Sequence, residues 1–346
     1  MSVLLRSRVL RRLLTIPAVL LMLVLVVSTV PLWILVAVAL SPLLPGRWRP
    51  LRFTWFALLW LGLEVGAITA LGWLWLVHGA GRRLGSPAAV EAHYRLLERL
   101  LGWLSRSAKR LFSVRIGLEN AVLPVREQPG LPGPRPLLVF SRHAGPGDSF
   151  LLVHELVTVY RRQPRIVLKD ALQLDPVIDL LVNRLPSRFI SPNPGREGSD
   201  VAAAVGRLAK GMDGDDALVL FPEGGNFTER RRQRSIAKLE ASGWNVHAAL
   251  ARRMRHLVAP RPGGVLAALD AAPDADVVFV AHTGLEQLNS ALDLWRGLPM
   301  DREVRARFWV VPASDVPAGH DARIEWLFDW WARMDTWIDR RQGHHD

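Results

Sequence analysis

Residues Leu137–Val153 read LLVFSRHAGPGDSFLLV. An apolar run of strand length, Leu137–Phe140, ends in a polar turn, and a second apolar run follows it. Strand, glycine-containing turn and helix start are the repeating grammar of an α/β sheet. The turn carries His143 and Asp148 in the spacing His-x4-Asp, with Gly145 and Gly147 between them. Glycines let the chain fold back so that Asp148 reaches the imidazole. A carboxylate on one ring nitrogen fixes the tautomer and supports the imidazolium, and leaves the other nitrogen to take a proton. No Ser or Cys is needed if a substrate hydroxyl is the nucleophile. The plain alternative is a helix N-cap aspartate beside a structural histidine.

Working outward, short apolar runs alternate with helical stretches from Phe112 to the C-terminus. Strands are expected at 112–117, 136–141, 165–168, 187–191, 216–221, 255–259, 276–282 and 306–311. Helices are expected near 148–160, 172–183, 198–211, 228–241 and 321–340. The alternation predicts an α/β domain with a sheet covered by helices over 112–346. The tryptophan-rich stretch Ile324–Ile338 reads as core or interface packing, with membrane contact as the alternative. His282, at the end of an apolar run, either faces the same crevice as His143 or is structural.

The N-terminal part is of another kind. Of the net charge of +12, residues 1–110 supply +11, from 14 Lys/Arg against three Glu. The arginines flank two apolar tracts, 13–44 and 53–77, and the second is rich in Trp. That placement points to membrane lipids rather than nucleic acid. Residues 1–85 are therefore expected to anchor the chain to a membrane, with the catalytic domain on the cytoplasmic face. The tract 13–44 exceeds the roughly 20 residues of one span, so it either tilts or breaks at Ser28–Pro31 into a re-entrant hairpin. Residues 86–111 read as an amphipathic linking helix, packed on the domain or lying on the membrane. The chain has no cysteine, which excludes disulfides, cysteine-ligated zinc and a thiol nucleophile.

A second stretch, LVLFPEGGNFTERRR (Leu218–Arg232), repeats the grammar of strand, Gly-rich turn and helix start. Such a turn offers backbone N–H groups to an anion. Glu223, Gly224, Gly225, Arg230 and Arg231 are its candidate binding residues. The alternative is a tight turn followed by a solvated basic helix.

Together, His143-x4-Asp148 and Phe221-Pro222-Glu223-Gly224, 73 residues apart from Asp148 to Phe221, resemble the glycerolipid (lysophosphatidic acid) acyltransferase family, of the 1-acylglycerol-3-phosphate O-acyltransferase type. VLKDALQLDPVIDLLVNRLPSRFISPN (Val167–Asn193) resembles its second block and HLVAPRPGGV (His256–Val265) its fourth. The continuation FPEGGNFTERRRQRS is closest to the lysocardiolipin and lysophosphatidylinositol acyltransferase-like branch. The resemblance spans about Phe112–Val280. It implies a mixed sheet covered by helices, an acyl-CoA or acyl-carrier-protein donor, a lysophospholipid acceptor and no bound cofactor or metal. It adds Lys169, Arg188 and Arg261 to the candidate substrate-binding residues, with Arg196 as an alternative to Arg188. His143 would be the general base and Asp148 its orienting group. The backbone at Gly145 and Gly147 would stabilise the oxyanion. The chain departs from the family at Arg142, where Asn is usual, and at Gly225-Asn226. Two other readings are a lipid hydrolase using water or Ser149, which lacks a Gly-x-Ser-x-Gly elbow, and a non-catalytic lipid-binding protein.

Overall fold

Three runs, Leu137–Ser141, Asp216–Leu220 and Asp276–Thr283, are apolar on both alternating sets of positions. Strands of this kind need cover on both faces, and they form the centre of the sheet. The computed structural model describes residues 7–44, 48–119, 134–190, 197–286, 292, 295–296 and 303–342. Its strands are β1 (Arg115–Glu119), β2 (Leu137–Ser141), β3 (Gln163–Lys169), β4 (Arg188–Ile190), β5 (Asp216–Leu220), β6 (Asp276–Thr283) and β7 (Glu303–Val311). They lie in the order β1-β7-β6-β2-β5-β3-β4. β2 pairs in parallel with both β5 and β6, β3 pairs in parallel with β5, and β7 runs antiparallel to β6, so the sheet is mixed.

The chain divides into two compact units. Unit 2 comprises Ile116–Val167, Pro192–Ser290 and Glu303–Asp346. Its helices are α4 (Pro146–Thr158), α6 (Glu197–Ala209), α7 (Glu229–Ala241), α8 (Asn245–Arg253), α9 (Pro262–Ala271) and α10 (His320–Gln342). On one face of the sheet Leu138, Phe140, Leu218 and Phe279 pack against α6, α9 and α10. On the other, Leu137, Val139, Val219 and Val278 pack against Leu152 and Leu156 of α4. The tryptophans of α10 belong to this core. Trp331 is buried, and the Trp330 ring stacks on Phe279 at 4.7 Å.

The strand expected at 255–259 does not form. Leu257, Val258 and Ala259 are buried, but the segment's amides are taken by side chains rather than by a ladder. Asp335 accepts from the N–H groups of Arg255 and His256, and Glu223 from that of Val258. Helices α8 and α9 were not expected. Gly263 and Gly264 masked the second, where the absent side chains bring α9 close to Ala202 and Val205 of α6.

Unit 1 comprises Met1–Arg115, Leu168–Ser191 and Ala291–Arg302. It contains α1 (Arg8–Leu40), α2 (Arg49–Val77), α3 (Pro87–Phe112) and α5 (Pro176–Val182). Of the two alternatives for the first tract, the break at Ser28–Pro31 is absent, and α1 continues for 33 residues through Pro17 and Pro31. The Ser28 and Thr29 hydroxyls donate back to the carbonyls of Val24 and Leu25 at 2.7 Å each, so neither opens the helix. Helix α3 runs antiparallel along α2. Tyr94 shares a cluster with Leu71 near the end of α2, while Phe112 meets Phe56 at 4.6 Å and Arg52 donates to Leu111 O near its start. The linking helix is thus packed against a neighbour. Its charged face, with Arg95, Glu98, Arg99, Arg106 and Lys109, stays exposed.

Leu168–Ser191, read in sequence as part of the α/β domain, packs with the N-terminal helices. The reason lies on α5. Asp179, fully buried, accepts from Arg11 at 2.6 Å and Arg12 at 2.7 Å. Two arginines expected to face lipid headgroups are therefore held on one carboxylate.

Candidate active site

The strand register sets the site. Ser141 of β2 is level with Val280 of β6, and Phe140 with Leu220 of β5. Continued along the strands, this brings His143, His282 and Glu223 to one level at the carboxyl ends of three neighbouring parallel strands. Ligands of open α/β sheets bind in that crevice.

Asp148, in the first turn of α4, has both carboxylate oxygens 3.1 Å from His143 Nδ1. It also accepts from the N–H groups of Ala144 (2.6 Å) and Gly145 (3.0 Å) and from the Ser149 hydroxyl (3.1 Å). Burial opposes its ionisation, but the hydrogen bond from His143 and the neighbouring His282 outweigh burial. They hold the carboxyl well below the usual carboxylate range. Nδ1 therefore carries the proton that faces Asp148, and Nε2 has no hydrogen-bond partner among the described residues. The imidazole, 19% exposed, packs on the Phe221 ring at 4.5 Å. This is the arrangement of a histidine ready to accept a proton at Nε2.

His282 is the feature that sequence reading underweighted. It is buried, with Nε2 3.5 Å from Asp148 Oδ2, and neither ring nitrogen has a hydrogen-bond partner among the described residues. Its signal was present: VVFVAHT, like LLVFSRH, is a fully apolar strand that runs out into a histidine.

Glu223 does not line a binding surface. It is buried, with Oε1 accepting from His143 N and Oε2 from Val258 N, each at 2.9 Å. It ties the His143 turn to the segment before α9. Desolvation pushes its carboxyl up to about 7, against the pull of these amides and Arg142. Phe227 N donates to His143 O at 2.7 Å, a second tie between the two turns. Arg142 is likewise structural. It is buried, donates to the carbonyls of His282 and His256, and pairs with Glu286 at 2.9 Å.

At the Gly-Gly turn the structure gathers two guanidiniums. Gly224 (φ 72°) and Gly225 (φ 156°) take left-handed backbone that favours glycine. A Cβ at Gly224 would lie 3.0–3.1 Å from the Arg261 guanidinium, and one at Gly225 would strike that of Arg231. Arg231 also donates to Gly224 O at 3.2 Å. These two cations beside a glycine turn suit a phosphate.

The remaining expected residues differ in their surroundings. Gly145 cannot serve an oxyanion, because Asp148 already takes its N–H. Gly147, second residue of α4, has an N–H without an intrahelical acceptor. Arg230 is exposed on α7 outside the turn. Lys169, at the end of β3, and Arg188, on β4, are exposed and belong to unit 1. Arg196 lies outside the described residues.

A family model described as Acyltransferase matches residues 122–283, the span that holds His143, Asp148, Glu223, Arg231, Arg261 and His282. The crystal structure of the 1-acyl-sn-glycerophosphate (LPA) acyltransferase PlsC from Thermotoga maritima is similar at a TM-score of 0.47 and 12% identity. The similarity covers 83% of this chain and 92% of that one. No curated protein matches the chain.

Proposed function

We propose that this chain is a membrane-bound O-acyltransferase that moves a fatty acyl group from an acyl thioester to the hydroxyl of a lysophospholipid, 1-acylglycerol 3-phosphate being the acceptor that fits best. The observation that carries this reading is the His143–Asp148 pair at three parallel strand ends, with Nε2 unengaged and the Arg231 and Arg261 guanidiniums at the neighbouring glycine turn. The match of residues 122–283 to the Acyltransferase family model supports acyl transfer as the chemistry.

In this mechanism His143 Nε2 takes the proton of the acceptor hydroxyl as its oxygen attacks the thioester carbonyl. A C–O bond forms, and the carbonyl electron pair becomes an oxyanion near the start of α4, where the Gly147 N–H is available. Collapse breaks the C–S bond, and the departing thiolate takes the proton back from His143. Asp148 holds the ring and offsets the imidazolium charge throughout. Arg231 and Arg261 hold the acceptor phosphate. Ser149 donates to Asp148, which gives it no role as nucleophile.

Membrane attachment belongs to the same reading. Helices α1 and α2 are long and apolar enough to cross a bilayer, and the most apolar window of α1 is 0% buried. Helix α3 accompanies α2 along its length with seven charged residues exposed, and carrying these through hydrocarbon would be costly. This favours a hairpin that enters and returns on the cytoplasmic face.

The test is acyl transfer by membranes holding the chain or His143→Ala, given labelled oleoyl-CoA and lysophosphatidic acid, glycerol 3-phosphate or lysophosphatidylinositol. Loss of a general base should lower the rate by about 10²–10⁴-fold. Free fatty acid as the His143-dependent product, with no acylated acceptor, would refute the reading.

A further inference from the structure

Unit 1 contains a cavity of about 410 Å³ that has no part in the chemistry above. Its size falls in the range of small-molecule sites. Its lining combines three arginines, Arg8, Arg12 and Arg184, with the apolar side chains of Ile16, Ile68 and Trp75.

The charge of these arginines is not balanced. Arg12 shares the single carboxylate of Asp179 with Arg11. Arg184 donates to neutral partners, Leu71 O at 2.8 Å and His93 Nε2 at 3.2 Å. His93 is kept neutral by burial, and its Nδ1 lies 2.6 Å from Ala89 O, so Nε2 is the acceptor. Arg8 is exposed and makes no ion pair among the described residues. Glu64 and Asp175 lie close enough for their charges to act on each other, and neither lines the cavity. Burial and the charge of Arg12 both press on the Arg184 guanidinium, as expected where cations gather without enough anions. The apolar lining residues Ile16, Ile68 and Trp75 belong to the two helices whose outer faces are largely exposed and apolar. A free inorganic anion would satisfy the arginines and leave that apolar lining unused.

We propose that this cavity holds one phospholipid by an anionic phosphate headgroup, with Arg8, Arg12 and Arg184 around the phosphate and the glycerol and first acyl carbons against Ile16, Ile68 and Trp75. The site is independent of acyl transfer.

The full chain, solubilised in detergent and stripped of lipid, is titrated with dioleoylphosphatidylglycerol, dioleoylphosphatidylcholine, dioleoylglycerol or inorganic phosphate. Bound molecules are counted by native mass spectrometry. The expected result is one phosphatidylglycerol per chain, held in preference to the other three. Removing one interfacial cation in Arg8→Gln should weaken it about fivefold. A Cβ on Gly72, which lines the cavity, meets nothing within 4 Å, so Gly72→Leu should fill the space and abolish binding without lowering the melting temperature. Equal binding of phosphatidylcholine or dioleoylglycerol would overturn the proposal. So would inorganic phosphate binding as tightly as the lipid, or phosphatidylglycerol binding unchanged in Gly72→Leu. If Gly72→Leu does not fold, unchanged affinity in Arg8→Gln overturns it. No acyl donor is present, so the outcome stands whether or not the chain transfers acyl groups.

Discussion

His143 depends on two carboxylates that treat it differently. Asp148 holds its side chain and Glu223 its backbone, and the two differ in their own electrostatics. Asp148 is surrounded by donors and stays ionised. Glu223 is so deeply buried that its carboxyl is pushed up from 4.5 to about 7. The sign of its linkage follows. A group whose pKa is higher in the folded state contributes stability that is fully present below about 4.5 and is lost as the pH rises through about 7. The loss is on the order of 3 kcal/mol. The melting temperature should therefore fall between pH 5 and pH 8. Glu223→Gln, which cannot ionise, should show a smaller fall while starting lower, because its NH₂ cannot accept from a buried amide. Differential scanning fluorimetry across that range checks both. Equal slopes in the two proteins would refute the assignment.

At the scale of elements, the site is a consequence of register. β2, β5 and β6 are parallel neighbours, so three turns separated by up to 140 residues open at the same edge. The glycine turn after β5 is the most constrained of them. Gly225 combines a φ of 156° with an Arg231 guanidinium where a side chain would sit. Gly225→Ala should displace Arg231 and raise KM for a phosphorylated acceptor about tenfold or more, in line with loss of a charge-assisted contact, with a smaller effect on kcat. Steady-state kinetics with lysophosphatidic acid would show the split, and an unchanged KM would remove Arg231 from acceptor binding. The apolar strands and the glycine turn were legible in sequence because period and composition are local signals. The helix from Pro262 was not, because its two glycines serve packing on α6 rather than a turn.

For the whole molecule, one buried aspartate organises unit 1. Asp179→Ala would leave two guanidiniums facing each other without a counter-charge. It should cost about 3–5 kcal/mol, as when one partner of a buried pair is removed. Limited trypsinolysis should then cut at Arg11 and Arg12, and protection equal to the parent protein would contradict this. Topology can be read directly, since the chain has no cysteine. Leu44→Cys, at an exposed position after α1, should resist a membrane-impermeant maleimide added from outside if α1 and α2 form a hairpin. Labelling from outside would mean two full spans.

The sequence by itself determined the α/β class, the His143–Asp148 pairing, the glycine turn after β5 and two apolar helical tracts. Each of these is written within a few residues, as periodicity or as a short spacing that the backbone must obey. Tertiary structure alone decided what crosses long separations. Glu223 proved to be a clamp between two backbone amides rather than a ligand. Arg142 became a buried strut, His282 came to Asp148, and Arg11 and Arg12 turned to Asp179. Apart from Arg12, which is 31% exposed, each of these is a charged or polar group that left water, and a buried group must find its partner wherever packing has placed one. No local pattern records that choice.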